Sequence, residues 1–128
     1  MWSQIVRHGD KVSPTRMKRS WFRRKFHLNK LDRMTVHRAG LAGIKNHAEN
    51  IIEKSLKEHD AKRTPYSGHP VFTAQHATAT CCRKCLLRWH QIPMYRPLFH
   101  EEKQFVIRLI SRWIQDEMKP KYGYNSSY

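Results

Sequence analysis

The spacing of apolar residues predicts two long amphipathic helices. Between residues 41 and 56, apolar side chains recur every three or four positions and form one helical face, made of Leu41, Ile44, Ala48, Ile51, Ile52 and Leu56. Residues 101–118 repeat this spacing with Phe105, Val106, Leu109, Ile110, Trp113 and Ile114. Glu101 and Glu102 stand at the end of this second helix where the helix dipole favours negative charge.

Shorter helices are predicted on the N-terminal side. Ser20 is a suitable N-cap for a helix in which Trp21, Phe22 and Phe26 form a core-facing stripe with the arginines outside. A second short helix is expected over residues 29–38, and Gly40 ends it, as glycine commonly does after a helix.

The middle of the chain is predicted to be less regular. Residues 57–68 are polar and read as a loop, and residues 69–80, "HPVFTAQHATAT", read as an irregular extended segment. Thr80 is the predicted N-cap of a helix that ends before Pro93 and turns Cys82, Cys85, Leu86 and Trp89 to one side. The expected fold class is therefore mainly α: a small helical domain with an irregular segment that contains cysteine and histidine.

The 128 residues suffice for one domain with extensions. We assign residues 1–19 to a basic extended arm, residues 20–118 to a single helical domain, and residues 119–128 to a short C-terminal tail. No run of about 18 apolar residues is present, so no membrane partner is expected.

Charge points to a polyanionic partner. The chain has 25 Lys and Arg against 10 Asp and Glu, a net charge of +15, and residues 1–40 hold 11 of the basic and 2 of the acidic side chains. RNA phosphates are the expected partner of two groups of cations: Arg7, Lys11, Arg16, Lys18, Arg19, Arg23, Arg24 and Lys25 in the first, and Arg83, Lys84 and Arg88 in the second. Trp2, Trp21 or Tyr95 would stack on unpaired bases.

All three cysteines lie in "HATATCCRKCLLRWH", residues 76–90. An odd number of cysteines with two adjacent suggests no disulfide framework and favours a reducing, intracellular compartment. Cys82 and Cys85 form a C-x-x-C pair, whose thiolates bind zinc well, and a predicted helix N-terminus favours those thiolates. The predicted zinc ligands are His76, Cys82, Cys85 and His90, with His69 and Cys81 as alternates.

Other interpretations of the cluster stay open at the level of the sequence. In the first of these, the cysteines pack against Trp89 as small apolar side chains and the histidines make ordinary hydrogen bonds. In the second, one of the three cysteines acts as a nucleophile with His76 or His90 as its base. An iron–sulfur cluster would need the three cysteines plus a histidine or a ligand from another chain.

The central segment, "GHPVFTAQHATATCCRKCLLRWHQIP" at residues 68–93, closely resembles the signature of a bacterial family of uncharacterised proteins, domain of unknown function 4186. The flanking segments "FRRKFHL", "HRAGLAGIKNHAENIIEKSL" and "FVIRLISRWI" are similar too, so the resemblance spans roughly residues 20–115. It implies the same small helical fold and brings no activity. The residues that match the motif are His69, Gln75, His76, Cys81, Cys82, Cys85, Trp89 and His90.

This chain departs from the family in its charge and its extensions. It adds the arm at 1–19, has "MYRPLFH" where the family has "KG" after Ile-Pro, and appends residues 119–128. Such basic extensions resemble those of mitochondrial ribosomal proteins. The expected function is therefore a structural RNA-binding component of a mitochondrial ribosome in the matrix, with rRNA and neighbouring ribosomal proteins as partners and no evident small-molecule substrate. The alternative is a stand-alone zinc-binding protein or a thiol- or metal-dependent enzyme.

Overall fold

A computed structural model describes residues 20–56 and 64–119. In these two ranges the chain is helical and has no strand, which confirms the predicted mainly α fold. The helices, in chain order, are α1 (Trp21–Arg24), α2 (Lys30–Ser55), α3 (Pro70–Ala77), α4 (Arg83–His90) and α5 (His100–Met118). The predicted arm at 1–19, most of the 57–68 loop and the tail beyond Lys119 lie outside the described residues. No helix in the described part of the chain is long and apolar enough to span a bilayer.

Helices α2 and α5 pack together and form most of the core. The buried stripe of α2 has a strict four-residue spacing, with Ile44, Ala48, Ile52 and Leu56 all almost inaccessible. It meets the buried face of α5, formed by Val106, Ile107, Ile110 and Ile114. Burial of each such isoleucine stabilises the fold by about 1.5–3 kcal/mol. The predicted faces were too wide, since Leu41 is exposed and Trp113 is only partly buried.

A break at Gly40 divides α2 into two helical parts. Gly40 has φ +74° and ψ 169°, a conformation that side chains with a Cβ rarely adopt. Asn29 caps the first part by accepting a hydrogen bond from the Asp32 amide. The prediction that a helix ends at Gly40 is therefore confirmed, although the next helix follows without a loop.

The prediction of an extended segment over residues 69–80 was wrong, because α3 occupies most of it. His69 is the N-cap, with Nδ1 accepting from the Val71 amide at 3.1 Å, and Pro70 stands at the first helical position, where a missing N–H costs nothing. Seven of the eight residues of α3 are buried, and the helix packs against both α2 and α5. Packing therefore outweighs the weak strand preference of Val71 and Thr73.

Helix α1 begins where predicted but faces the opposite way. The Ser20 hydroxyl accepts from the Arg23 amide, as an N-cap should. Trp21 is 70% exposed, however, and Arg23 is 8% exposed, so the predicted core stripe of aromatics with arginines outside was wrong. The reason is polar: the buried guanidinium of Arg23 finds hydrogen-bond acceptors on α3 and α4.

Candidate metal centre

A tight buried turn between α3 and α4 presents the three cysteines. Ala79 has φ +60°, and the Thr80 amide donates to the Gln75 carbonyl while the Gln75 side-chain amide donates to the Thr80 carbonyl. The Thr78 hydroxyl bonds back to the Ala74 carbonyl at 2.8 Å. Because these polar groups satisfy one another, the turn holds the residues that follow it in one conformation.

Cys82, and not the predicted Thr80, is the N-cap of α4. Its Sγ accepts a hydrogen bond from the Cys85 amide at 3.4 Å. Thr80 instead lies in the buried turn, where its hydroxyl is 3.0 Å from that of Thr78. A sulfur therefore occupies the position that a serine or aspartate oxygen usually takes at a helix start.

The three sulfurs form one cluster. The Sγ atoms of Cys81, Cys82 and Cys85 all lie within 4.8 Å of one another, and those of Cys81 and Cys85 are 3.5 Å apart. Cys81 is buried and the other two are half-buried. The three thiols are all free, and the group could hold a metal ion.

The pKa values of Cys81 and Cys82 are shifted in opposite directions within this cluster. Hydrogen bonds from Cys81 and Cys85, assisted by the backbone amides of Cys85 and Lys84, lower the pKa of Cys82. Hydrogen bonding to Cys82 and Cys85, together with burial, raises the pKa of Cys81. The other two thiols therefore favour the ionised form of Cys82 most, and the amides at the start of α4 add to this effect.

Arg23 connects α1 to the cluster. Its Nη2 donates to Cys85 Sγ at 3.3 Å, and its Nη1 donates to the His76 carbonyl at 2.6 Å. The guanidinium also lies over the Trp89 ring, 5.5 Å from its centroid. Arg23 therefore places a positive charge against the cluster. No sequence signal marked this residue, because it stands in a run of three cations of which the other two are exposed.

The histidines predicted as ligands are engaged elsewhere. His76 Nε2 faces the carbonyl oxygens of Thr64 and Pro65 at 3.0 and 3.2 Å, so it must donate a proton there. His90 Nε2 lies 2.9 Å from the Thr78 carbonyl, and His69 Nδ1 is used by the cap of α3. Burial lowers the pKa of His76 and of His69. The structure brings Cys82 and Cys85 together with the alternate, Cys81, whereas His76 and His90 do not belong to this group of three sulfurs. The zinc ligands themselves stay a prediction.

The model of one protein family matches residues 11–115, which include the whole cluster. Its description is "Domain of unknown function (DUF4186)". The chain belongs to the DUF4186 family. No solved structure matches the chain. The match begins at residue 11, so the DUF4186 domain extends into the stretch assigned to the arm.

The predicted phosphate-binding cations of the DUF4186 domain divide into exposed and buried ones. Arg24, Lys25, Lys84 and Arg88 are exposed. Arg83 is only 1% exposed, and its guanidinium donates to the carbonyls of Leu56, Pro93 and Arg96. Arg23 is also buried, and its guanidinium donates to the His76 carbonyl and to Cys85 Sγ. Contact of the exposed cations with phosphates stays a prediction. Arg7, Lys11, Arg16, Lys18 and Arg19 lie outside the described residues.

Proposed function

We propose that this domain binds one zinc ion through Cys81, Cys82 and Cys85, and that the ion has a structural role. The observation that carries the proposal is the convergence of three sulfur atoms within 4.8 Å. Sulfurs that share a tetrahedral zinc ion, each about 2.3 Å from it, are about 3.8 Å apart. In a [4Fe–4S] cluster each cysteine binds a different iron atom, and in a [2Fe–2S] cluster one iron atom takes only two cysteines, so neither cluster brings three cysteine sulfurs to one metal atom. A single ion fits the spacing better.

The surroundings of the cluster suit a thiolate–zinc centre. Three thiolates and one divalent ion carry a net charge of −1, and burial of that charge needs compensation. The guanidinium of Arg23 and the N-terminus of α4 are positioned to supply it. The three ligands lie within residues 81–85, so an ion there would fix the turn that starts α4. Arg23 of α1 contacts both Cys85 and the His76 carbonyl of α3, so the fixed turn would support these neighbouring elements.

The three cysteines leave one tetrahedral position for a fourth ligand. Neither His76 nor His90 belongs to the group of three sulfurs, and each directs Nε2 to a carbonyl oxygen. The fourth ligand would then be water or a group outside this cluster. A site with a bound water is the arrangement that catalytic zinc requires, which keeps a metal-dependent activity as an alternative to the structural role.

Metal analysis of the full-length chain tests the proposal. We expect one zinc per chain, with X-ray absorption giving zinc–sulfur distances of about 2.3 Å. Cys81→Ser, Cys82→Ser and Cys85→Ser should each lose most of the metal. His76→Gln is the discriminating control, because it removes a ligand of the set predicted from sequence yet leaves the three sulfurs in place. Full zinc content in Cys82→Ser or Cys85→Ser would contradict the proposal.

We propose as a second function that the chain is a structural RNA-binding component of a ribonucleoprotein, with a mitochondrial ribosome as the expected particle. The net charge of +15 supports it, as does the complete absence of Asp and Glu from residues 64–100. The cations Arg24, Lys25, Lys84 and Arg88 are exposed and available to phosphates.

Salt dependence tests RNA binding. With six to ten phosphate contacts, the affinity should fall roughly 10³–10⁵-fold between 50 and 200 mM salt. Purification from cell extract should also recover ribosomal RNA and ribosomal proteins with the chain. Binding that does not respond to salt, or no binding at all, would exclude this function while leaving the zinc proposal intact.

A further inference from the structure

Helix α1 places aromatic rings in solvent beside the cysteine cluster. Trp21 is 70% exposed and Phe22 is 36% exposed, although both belong to the residue types that normally fill a core. Tyr66, in the loop before α3, is 58% exposed. Three exposed aromatics in two neighbouring segments need an explanation, because each leaves apolar surface in water.

The rings of Phe22, Phe26, Tyr66 and His76 form one connected surface, which we call the aromatic array. Trp21 is linked to it through Lys25, which lies over both Trp21 and Phe22. Phe26 meets Phe22 edge to face at 5.2 Å, and it lies nearly parallel to Tyr66 at 6.2 Å and to His76 at 5.5 Å. Tyr66 in turn stacks on His76 at 4.2 Å with 14° between the planes. Because His76 is fixed by the carbonyls of Thr64 and Pro65, the parallel rings above it are held in place before any ligand arrives.

A cation lies on the array. Lys25 Nζ is 4.7 Å from the ring centroid of Phe22, 5.4 Å from that of Trp21 and 5.7 Å from that of Phe26. An ammonium group over ring faces is held there by the ring quadrupoles. The same surface therefore offers flat apolar faces and a positive charge a few ångströms apart.

The segments that build this side of the molecule contain no carboxylate. Neither residues 20–31 nor residues 64–100 include Asp or Glu. Lys84 and Arg88 are exposed and four residues apart, so they form one line on α4. That line lies one residue away from Cys85 and Trp89, the two side chains that meet Arg23 of α1. The two cations therefore lie on the face of α4 next to the one that meets Arg23.

We propose that the aromatic array binds a single-stranded segment of RNA, with unpaired bases stacked on Trp21 and Tyr66 and phosphates met by Arg24 and Lys25. This rests on the proposed RNA-binding function and gives it a surface and a ligand class. Unpaired bases can lie on aromatic faces, whereas the bases of a duplex are stacked on one another and inaccessible. Parallel aromatic rings suit the stacking of RNA bases. Aromatic residues that bind a membrane interface need no such parallel arrangement, so the array favours RNA over a membrane as its ligand.

Fluorescence anisotropy with three probes tests the proposal. The probes are an unstructured 12-nucleotide RNA, the same RNA annealed to its complement, and vesicles of anionic phospholipid. The full-length chain should bind the single strand more tightly than the duplex. Trp21→Ala and Tyr66→Ala should each weaken single-strand binding roughly 5–100-fold, the range expected for loss of one base stack, and change duplex binding less than twofold. Tyr66→Phe keeps the ring and should bind like the natural chain.

Matched controls separate stacking from charge and from folding. Leu31→Ala removes an exposed apolar side chain from the start of α2, and Lys45→Ala removes an exposed cation from the same helix. Both should bind the single strand within about twofold of the natural chain, and circular dichroism should show that every variant is folded. Normal single-strand binding by Trp21→Ala and Tyr66→Ala would overturn the proposal while sparing RNA binding elsewhere. Absence of RNA binding by the natural chain would overturn both this proposal and the proposed RNA-binding function. The proposal for the aromatic array would also be overturned if the chain showed no preference for single-stranded RNA and bound vesicles in a way that Trp21→Ala abolishes.

Discussion

Cys82 combines two tasks that substitutions can separate. Its sulfur belongs to the candidate metal site and also caps α4 by accepting from the Cys85 amide. Cys82→Ser keeps an N-cap oxygen but removes a thiolate, whereas Cys82→Ala removes both. In metal-free protein we expect Cys82→Ala to be less stable than Cys82→Ser by about 1 kcal/mol, measured by urea unfolding. Both should fail to retain zinc. Equal stability of the two variants would mean that the sulfur is not an effective cap.

The sequence identifies the cysteines as candidate metal ligands, but it does not show which histidines lie close to them. The C-x-x-C spacing constrains Cys82 and Cys85 through local geometry alone, and the adjacent Cys81 is close to them in any helix start. A histidine several residues away is different, because its ring follows the tertiary fold. His76 turns to the carbonyls of Thr64 and Pro65, which belong to a distant loop that no spacing rule anticipates.

The burial of Arg23 and Arg83 could not be predicted from the sequence for a related reason. Composition treats every arginine as surface charge, yet Arg23 and Arg83 are buried and donate to backbone carbonyls. Carbonyl acceptors exist in every loop and leave no mark in the sequence. Only the packed structure reveals which of the many cations have been drawn inside.

At the level of the elements, Gly40 determines the course of α2. A Cβ at this position would meet no atom within 4 Å, so the cost of Gly40→Ala is backbone strain alone. At φ +74° and ψ 169° that strain should lower the free energy of unfolding by about 1–3 kcal/mol. Asn46→Ala, an exposed change in the regular part of α2, should stay within about 0.5 kcal/mol. A stabilised Gly40→Ala protein would indicate that α2 can straighten without loss of packing.

The start of α3 should make stability depend on pH. Burial, and then the nearby charge of His47, lowers the pKa of His69 below its ordinary value of 6.5. The unfolded chain therefore takes up this proton first as the pH falls. Stability from this residue is fully present above pH 6.5 and is lost below it, until the folded protein is protonated as well. Protonation would also remove the Nδ1 acceptor that caps α3.

Chemical unfolding between pH 5 and pH 7.5 measures this effect. His69→Asn keeps a capping oxygen without the titration, so its stability should change less with pH than that of the natural chain. His37→Asn alters an exposed histidine on α2 and should leave the pH dependence unchanged. If His69→Asn and the natural chain follow the same curve, the cap of α3 is not the source of the dependence.

Predictability also differs between elements. Apolar spacing identifies α5 and the part of α2 after Gly40, and their predicted ranges, 101–118 and 41–56, are close to those observed. The part of α2 before Gly40 was predicted as a separate helix over residues 29–38. Helix α3 has eight residues, seven of them buried, so no polar face alternates with its apolar one. Periodicity has nothing to detect in such a segment, and only His69 and Pro70 at its start indicated a helix.

For the molecule as a whole, removal of metal should have a measurable effect on folding. A ligand that binds only the folded state adds about 2.7 kcal/mol of stability at 100 times its dissociation constant. We therefore expect chelation to lower the thermal midpoint by several degrees. The variant in which all three cysteines are replaced by serine should have the lower midpoint from the start and show no response to the chelator. An equal response from this variant would place the stabilising ion elsewhere.

The burial of Arg23 has a consequence for how the molecule opens. Helix α1 is attached by hydrogen bonds from one guanidinium, while its neighbouring aromatic rings already stand in solvent. Its detachment would expose little new apolar surface, so the free energy of that local opening should be far below that of global unfolding. In hydrogen exchange, the amides of α1 should therefore exchange well before those of α5, and occupation of the cysteine cluster should slow them.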